Sequence, residues 1–312
     1  MYYIGVDLGG TNIAVGLVDE KGKIIESLST PTLSPRSYKE IVADMAKLIN
    51  EIIKNTGISL SDIESIGIGS PGSIDNERGM VLYANNLKFD HAPIREEMRK
   101  YFDLPVHLEN DANAAAFGEY VVNGGDAKDV IFVTLGTGVG GGIIIGGKIY
   151  KGFNGAGGEL GHYILVKDGI KCSCGLNGCW EQYASVTALI SQTKAAIEKN
   201  PDSLMVKLAE EHGAVSGRTA FEAAKMGDEA AKKVVSEYAE YVAAGAVSMI
   251  NIFQPEKLII GGGISREGDY LLDPIRKFCE KNSYKCDGGS TTIQAATLFN
   301  DAGIIGAALS AR

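Results

Sequence analysis

Cys172, Cys174 and Cys179 fall within eight residues in a C-x-C-x4-C pattern, and His162 lies ten residues upstream. Three thiolates and an imidazole form a closed tetrahedral donor set of the structural Zn2+ kind. The C-x-C step is tighter than zinc-finger spacing, and Gly175 and Gly178 allow the sharp turns that would gather three sulfurs around one ion. A disulfide is the competing reading, and it requires an oxidising compartment. Zinc here would organise His162 and the loop leading to Glu181 without doing chemistry.

A second set of residues suits phosphate. Three glycine turns, GGT at 9–11, GTG at 136–138 and GGG at 261–263, each follow an apolar run. Glycine lets backbone N–H groups approach an anion closely. One such turn is more often a plain hairpin; three, two of them in matching positions, point to a nucleoside triphosphate. None matches the P-loop pattern, and the first strand is not followed by G-x-G-x-x-G, so a dinucleotide fold is unsupported. Asp7 precedes the first turn. Buried there, its carboxylate calls for a cation, and Mg2+ held through water fits; hydrogen bonding to its own turn is the alternative. The Thr11 and Thr137 hydroxyls can donate to phosphate oxygens.

Phosphoryl transfer to an alcohol asks for positioning, charge neutralisation and an acceptor for the hydroxyl proton. Asp111, flanked by Asn110 and Asn113 at the start of an Ala-rich stretch, is the candidate base. Capping that helix is its alternative role. Glu159 and Glu181, which flank the candidate metal site, are suited with Asn110 to hydroxyls that both donate and accept.

These residues need strands that end in turns. Residues 2–29 read as three short strands in a meander. Residues 37–57 carry apolar residues at helical spacing and close on Gly57. Strands are expected at 63–70 and 104–110, and a helix at 111–122. The opening pattern then returns at 130–150, about 127 residues after the first, with LGTG where LGGT stood. Residues 150–180 read as irregular and 183–253 as helical. A strand at 257–265, a helix at 271–282, a strand at 291–298 and a terminal helix follow. Cys279 and Cys286 read as structural thiols, and His91, His107 and His212 are assigned no role.

Composition sets outer limits. The 312 residues suggest about two domains at roughly 150 each. Hydrophobic residues at 45% and charged residues at 22% argue against disorder. Glycine, 40 of 312, is about 13%, nearly twice its usual share. The net charge of −9 counts against a nucleic-acid binder. The start lacks a basic n-region, and 241–253 is too short and polar to span a bilayer. A cytoplasmic protein with no membrane or nucleic-acid partner is expected.

Taken together, DLGGTN (7–12), ENDANAAAFGE (109–119), LGTGVGGG (135–142), GAGGELGH (155–162), CSCGLNGCWE (172–181) and NDAGIIGAA (300–308) resemble, in order, the ROK family of sugar kinases, and within it the bacterial glucokinases. GELGH with the cysteine motif is specific; DLGGT is shared with the wider hexokinase and actin-like superfamily. The resemblance implies an α/β actin-like ATPase fold, a duplicated ribonuclease H-like unit in two lobes with a cleft. The expected small lobe is 1–114 with 300–312, and the large lobe, carrying the zinc loop, is 115–299. The implied reaction is ATP-dependent phosphorylation of a hexose, glucose to glucose 6-phosphate, with Asp111 as base. The resemblance assigns Asn110, Glu159, His162 and Glu181 to the sugar; the looser GSPG (69–72) and NN (85–86) segments add Gly72 and Asn86. It places Asp7, Gly9, Gly10, Thr11, Asn12, Gly136, Thr137 and Gly138 at the phosphates, and Gly262 and Gly263 near the adenosine. It makes His162, Cys172, Cys174 and Cys179 the zinc ligands and implies ATP, Mg2+ and a homodimer. N-acetylmannosamine or another hexose is the alternative substrate. A non-catalytic sugar-responsive regulator is a separate reading; the family's repressors carry a helix-turn-helix ahead of the kinase-like body, for which a phosphate strand beginning at residue 2 leaves no room.

Overall fold

In the computed structural model, which describes residues 1–285 and 287–310, the opening meander is β1 (Tyr2–Leu8), β2 (Asn12–Asp19) and β3 (Ile24–Pro31), followed by α1 (Tyr38–Thr56) and β4 (Ile63–Ser70). Next come β5 (Ser73–Asp75), β6 (Met80–Ala84), β7 (Phe89–Ala92), α2 (Ile94–Met98), β8 (Val106–Asn110) and α3 (Asp111–Asn123). The second meander is β9 (Val130–Leu135), β10 (Val139–Ile145) and β11 (Lys148–Ile149). Then follow α4 (Glu181–Ala184), α5 (Val186–Lys199), α6 (Leu204–Glu211), α7 (Thr219–Lys225) and α8 (Glu229–Phe253). The chain finishes with β12 (Lys257–Gly261), α9 (Asp269–Asn282), β13 (Thr292–Ala295) and α10 (Asp301–Leu309). Cys286 lies outside the described residues.

The repeat read from the two LG turns extends to whole sheets. One has the order β3-β2-β1-β4-β8 and the other β11-β10-β9-β12-β13. In each, the first meander strand pairs parallel with the strand beside it, β1 with β4 and β9 with β12, and the sheet continues parallel to β8 or β13. A three-stranded sheet, β5-β6-β7, is not anticipated from the sequence. Its strands are only three to five residues long and include polar runs such as FDHA, so no sustained alternation marks them.

The chain divides into two compact units: Met1–Lys128 with Gly142–Gly158 and the residues from Leu298 on, and Asp129–Gly141 with Glu159–Thr297. The division expected at 114/115 would cut α3, which this partition leaves whole in the first unit.

In the first unit, side-chain alternation sorts β1 onto two faces. Ile4, Val6 and Leu8 join a core with Ile41, Val42, Met45, Ile49 and Ile52 of α1. Each such apolar side chain contributes roughly 1.5–3 kcal/mol through burial. Ser37 and Glu40 form a capping box at the start of α1, and Gly57 ends it at φ 68°. The opposite face of the sheet takes α10, whose Ile304, Ile305, Ala308 and Leu309 cluster with Val18. α10 also crosses α3 closely: a Cβ at Gly306 would overlap the Ala114 carbonyl. The GIIGAA segment is therefore a packing surface.

In the second unit, α8 buries Tyr238, Val242, Gly245 and Ala246. Trp180 is wholly buried and donates from Nε1 to the Tyr241 carbonyl at 2.9 Å. Residues 150–180 hold only a 3-10 turn at Leu160–His162 and two isolated bridges, Ile164 with Cys179 and Lys171 with Asn177. Among the described residues no helix is long and apolar enough to cross a membrane.

Candidate active site

Strand ends place the first unit's chemistry. Asp7 is the penultimate residue of β1, paired with Gly69 of β4, and Asp111 begins α3 directly after β8. Burial, and then the Asp111 charge, raise the Asp7 carboxyl from 3.8 to about 6. Asp111 is also raised by burial, opposed by hydrogen bonds from backbone N–H groups, including Ala112 N–H at 2.8 Å. Two mostly buried acids, one of which raises the proton affinity of the other, form a site suited to a divalent cation. The Mg2+ expectation at Asp7 therefore fits these residues.

The helix cap is Asn110 rather than Asp111. Asn110 Oδ1 accepts from the N–H groups of Ala112 at 3.0 Å and Asn113 at 3.2 Å. Asn110 Nδ2 donates to the Gly72 carbonyl at 3.2 Å. Asn110 thus ties the helix start to the turn holding Gly72, and the cap is filled without using Asp111. Gly72 lies at φ 97°, with its Cβ position blocked by the Tyr83 carbonyl. Asn86 lies against Gly10, where an added Cβ would come within 3.1 Å of the Asn86 Cβ. The Gly9 carbonyl accepts from the Thr32 hydroxyl at 2.7 Å, while Thr11 and Asn12 are exposed.

Two further glutamates of this unit, Glu109 and Glu119, carry no motif signal of their own in the sequence. Glu109 is 4% exposed; its Oε2 lies 2.5 Å from Lys151 Nζ, and its Oε1 accepts from Asn113 Nδ2 at 3.3 Å. Lys151 thereby fastens the start of the glycine loop at 152–158 to the end of β8. Glu119, fully buried, accepts from Leu298 N–H at 2.7 Å and anchors the chain just ahead of α10. Both stand in the ENDANAAAFGE segment. A buried acid there would signal a fixed partner, but the sequence does not disclose which acids are buried.

The second unit gathers the metal-binding set. Donor atoms of His162, Cys172, Cys174 and Cys179 all lie within 4.8 Å of one another. Gly175 and Gly178 adopt φ 95° and 80°, the sharp turns that the spacing demanded. The Cys172 thiol falls to about 7: burial pushes it up, but hydrogen bonds from Cys174, Cys179 and His162 outweigh that. Cys179 is pushed up to about 12 by burial and by its two sulfur neighbours. Three crowded sulfurs beside an imidazole are a donor set that fits Zn2+. His162 Nδ1 faces Cys172 Sγ at 3.8 Å, which leaves Nε2 for another partner.

Glu159 is exposed, and its carbonyl accepts from His162 N–H at 3.1 Å. Glu181 instead meets the second glycine turn: its Oε2 accepts from Val139 N–H, just after that turn, at 3.0 Å. The turn at 136–138 is closed by Gly136 N–H to the Gly138 carbonyl at 2.9 Å, and Thr137 is exposed. Gly262, at φ 87°, packs on the Leu135 carbonyl, which brings the third glycine turn beside the second; a Cβ at Gly263 would meet open space.

The comparisons with known proteins agree with one another. The ROK family model matches residues 3–312. The glucokinase of Streptomyces coelicolor is 41% identical, with 99% of this chain and 97% of that protein aligned. The xylose repressor of Caldicellulosiruptor bescii is 32% identical over 97% of this chain and 76% of the repressor. A crystal structure of a ROK family glucokinase from Streptomyces griseus in complex with glucose and AMPPNP superposes with a TM-score of 0.81 at 39% identity, covering 99% of this chain and 98% of that one. The fold is the duplicated actin-like ATPase fold.

Proposed function

This chain belongs to the ROK family, and on that premise we propose that it is an ATP-dependent glucokinase that converts glucose to glucose 6-phosphate. The observation that carries the mechanism is the placement of Asp111 at the β8–α3 junction, where Asn110 caps the helix in its stead. A carboxylate has about four acceptor sites, so the bond from Ala112 N–H leaves capacity for a sugar hydroxyl. Burial raises its proton affinity, which suits a group that takes a proton as the oxygen attacks.

Glu159, His162 and Glu181 bind ring hydroxyls, and Asn110, Asn86 and Gly72 add polar contacts to the sugar. The primary C6 hydroxyl projects from the ring and is free to turn toward Asp111, which favours the 6-phosphate. The glycine turns at 9–11 and 136–138 present backbone N–H groups to the phosphates, with Thr11, Thr137 and Asn12 as side-chain donors. Gly262 and Gly263 allow close approach of the nucleoside. Asp7 would hold Mg2+ through water, and the ion would supply neutralisation of phosphate charge. His162, Cys172, Cys174 and Cys179 would hold Zn2+, which would fix the imidazole and leave its second nitrogen available to the sugar.

The protein acts in the cytoplasm, where thiolates stay reduced, and self-associates as a homodimer; a monomer at micromolar concentration by sedimentation would overturn the latter. The deciding experiment is coupled ADP release over a panel of hexoses and N-acetylhexosamines. Glucose should give the highest kcat/KM. Turnover confined to N-acetylmannosamine would replace the substrate, and none with any sugar would replace catalysis by sugar sensing.

A further inference from the structure

The contacts of Glu181 reach beyond the sugar. It is the first residue of α4 and follows Cys179 and Trp180 directly. One carboxylate oxygen, Oε2, accepts from Val139 N–H at 3.0 Å, immediately after the turn at 136–138. A Cβ at Gly138 would overlap that oxygen, so the turn is packed on the carboxylate. The other oxygen, Oε1, lies 3.8 Å from Cys172 Sγ. The next residues hold the same turn from its carbonyl side. Val186 N–H donates to the Gly136 carbonyl at 2.8 Å, and Thr187 Oγ1 donates to the Thr137 carbonyl at 2.7 Å. Two hydrogen bonds to this glycine turn, and one from Val139 just after it, thus involve residues 181–187. That segment is itself tied back by Trp180 N–H to the Tyr163 carbonyl at 3.0 Å and by Gln182 Nε2 to Cys172 Sγ at 3.5 Å.

From this geometry we infer that Glu181 and Thr187 are positioning residues for the phosphate turn, so that the zinc loop sets nucleotide affinity even when no sugar is bound. The inference rests on the reading of residues 136–138 as a phosphate turn. A glycine turn open to solvent samples many backbone conformations, and an anion site needs its N–H groups held in one of them. Glu181 and Thr187 supply that order in advance. The carboxylate's charge works the other way, since it lies beside a site for a polyanion. Its acceptor oxygen, rather than its charge, must therefore be what helps. Because a carboxylate can accept from a sugar hydroxyl and from Val139 N–H together, sugar and nucleotide binding become linked, and the linkage is reciprocal.

The test is the dissociation constant of a non-hydrolysable ATP analogue with Mg2+, measured on the zinc-loaded protein with and without glucose. Glu181→Ala should weaken nucleotide binding about tenfold without sugar, the loss of the hydrogen bond that Val139 N–H donates. Glu181→Gln keeps an acceptor oxygen and should stay within about threefold of the parent. Thr187→Val should weaken the nucleotide about fivefold while leaving glucose affinity of the nucleotide-free protein unchanged. Zinc content and Trp180 fluorescence identify any variant that fails to fold, and the Gln and Val variants keep the test alive in that event. Unchanged nucleotide affinity in Glu181→Ala and Thr187→Val, with glucose binding alone impaired in the former, overturns the inference and leaves the kinase reading intact. Tighter nucleotide binding in Glu181→Gln than in the parent by tenfold would show charge repulsion as the dominant effect, and overturns it too. Failure of the parent protein to bind the analogue at all would overturn the kinase reading itself.

Discussion

Asp7 has a measurable signature. In the unfolded chain its carboxyl titrates near 3.8; in the folded protein burial, and then the Asp111 charge, lift it to about 6. That rise corresponds to about 3 kcal/mol. Since the folded value lies above the unfolded one, the contribution to stability is full below the unfolded value and is lost as pH rises through about 6. About half of that loss, roughly 1.5 kcal/mol, falls between pH 5 and 7.5. A divalent cation bound at Asp7 favours the ionised form and restores stability only where the group is ionised. Urea unfolding of the zinc-loaded protein, followed by circular dichroism at pH 5, 6 and 7.5 with and without Mg2+, reads this directly. Mg2+ should stabilise more at pH 7.5 than at pH 5, and Asp7→Asn should flatten that part of the metal-free profile. An identical pH slope in Asp7→Asn, or equal stabilisation by Mg2+ at both ends of the range, would refute the reasoning.

Asp111→Asn should lower kcat by about 10²–10⁴-fold with glucose affinity largely kept; near-normal turnover would remove Asp111 as base. Protein purified without added zinc should contain about one zinc per chain, and Cys174→Ser should lower both zinc content and thermal stability while raising the glucose KM. A fully active metal-free preparation would contradict this. Lys151→Met strands the buried Glu109 charge. It should destabilise by roughly 2 kcal/mol in chemical unfolding, less than the 3–5 for a fully buried pair because 35% of the Lys151 side chain is exposed. Glu159→Gln should weaken glucose more than ATP in steady-state kinetics, and equal effects on both would detach Glu159 from the sugar.

The sequence disclosed those parts that rest on local pattern. The two meanders, α1 with its Ser37 and Gly57 ends, and the cysteine cluster all follow from period, caps and spacing. The β5-β6-β7 sheet escaped because short polar strands leave no period. Residue type lets either Asn110 or Asp111 cap the helix, and the choice rests on which of them takes the extended backbone conformation, which is Asn110. Glu109 and Lys151 are 42 residues apart in the chain, and nothing local in either predicts their pairing. Glu181 is legible as a candidate sugar ligand from its type and its place beside the cysteine motif. Its bond to Val139 N–H belongs to tertiary structure, and only the folded chain shows it.

The threading of the first unit has a consequence for how the protein is made. Its sheet and α3 are complete by residue 123, yet the helix that covers one face of that sheet, α10, is encoded at 301–309. At 5–20 residues per second a ribosome needs roughly 10–40 s to add the intervening chain. Over that interval the face around Gly5 and Gly67, which packs on the backbone of Ile304 and Ala307, stands bare. Most of the second unit, residues 159–297, is synthesised within the same interval and has its own sheet complete by β13. Folding on the ribosome should therefore finish in the middle of the chain before it finishes at the start. A nascent chain stalled before residue 300 would display an apolar sheet face that chaperones and proteases can recognise.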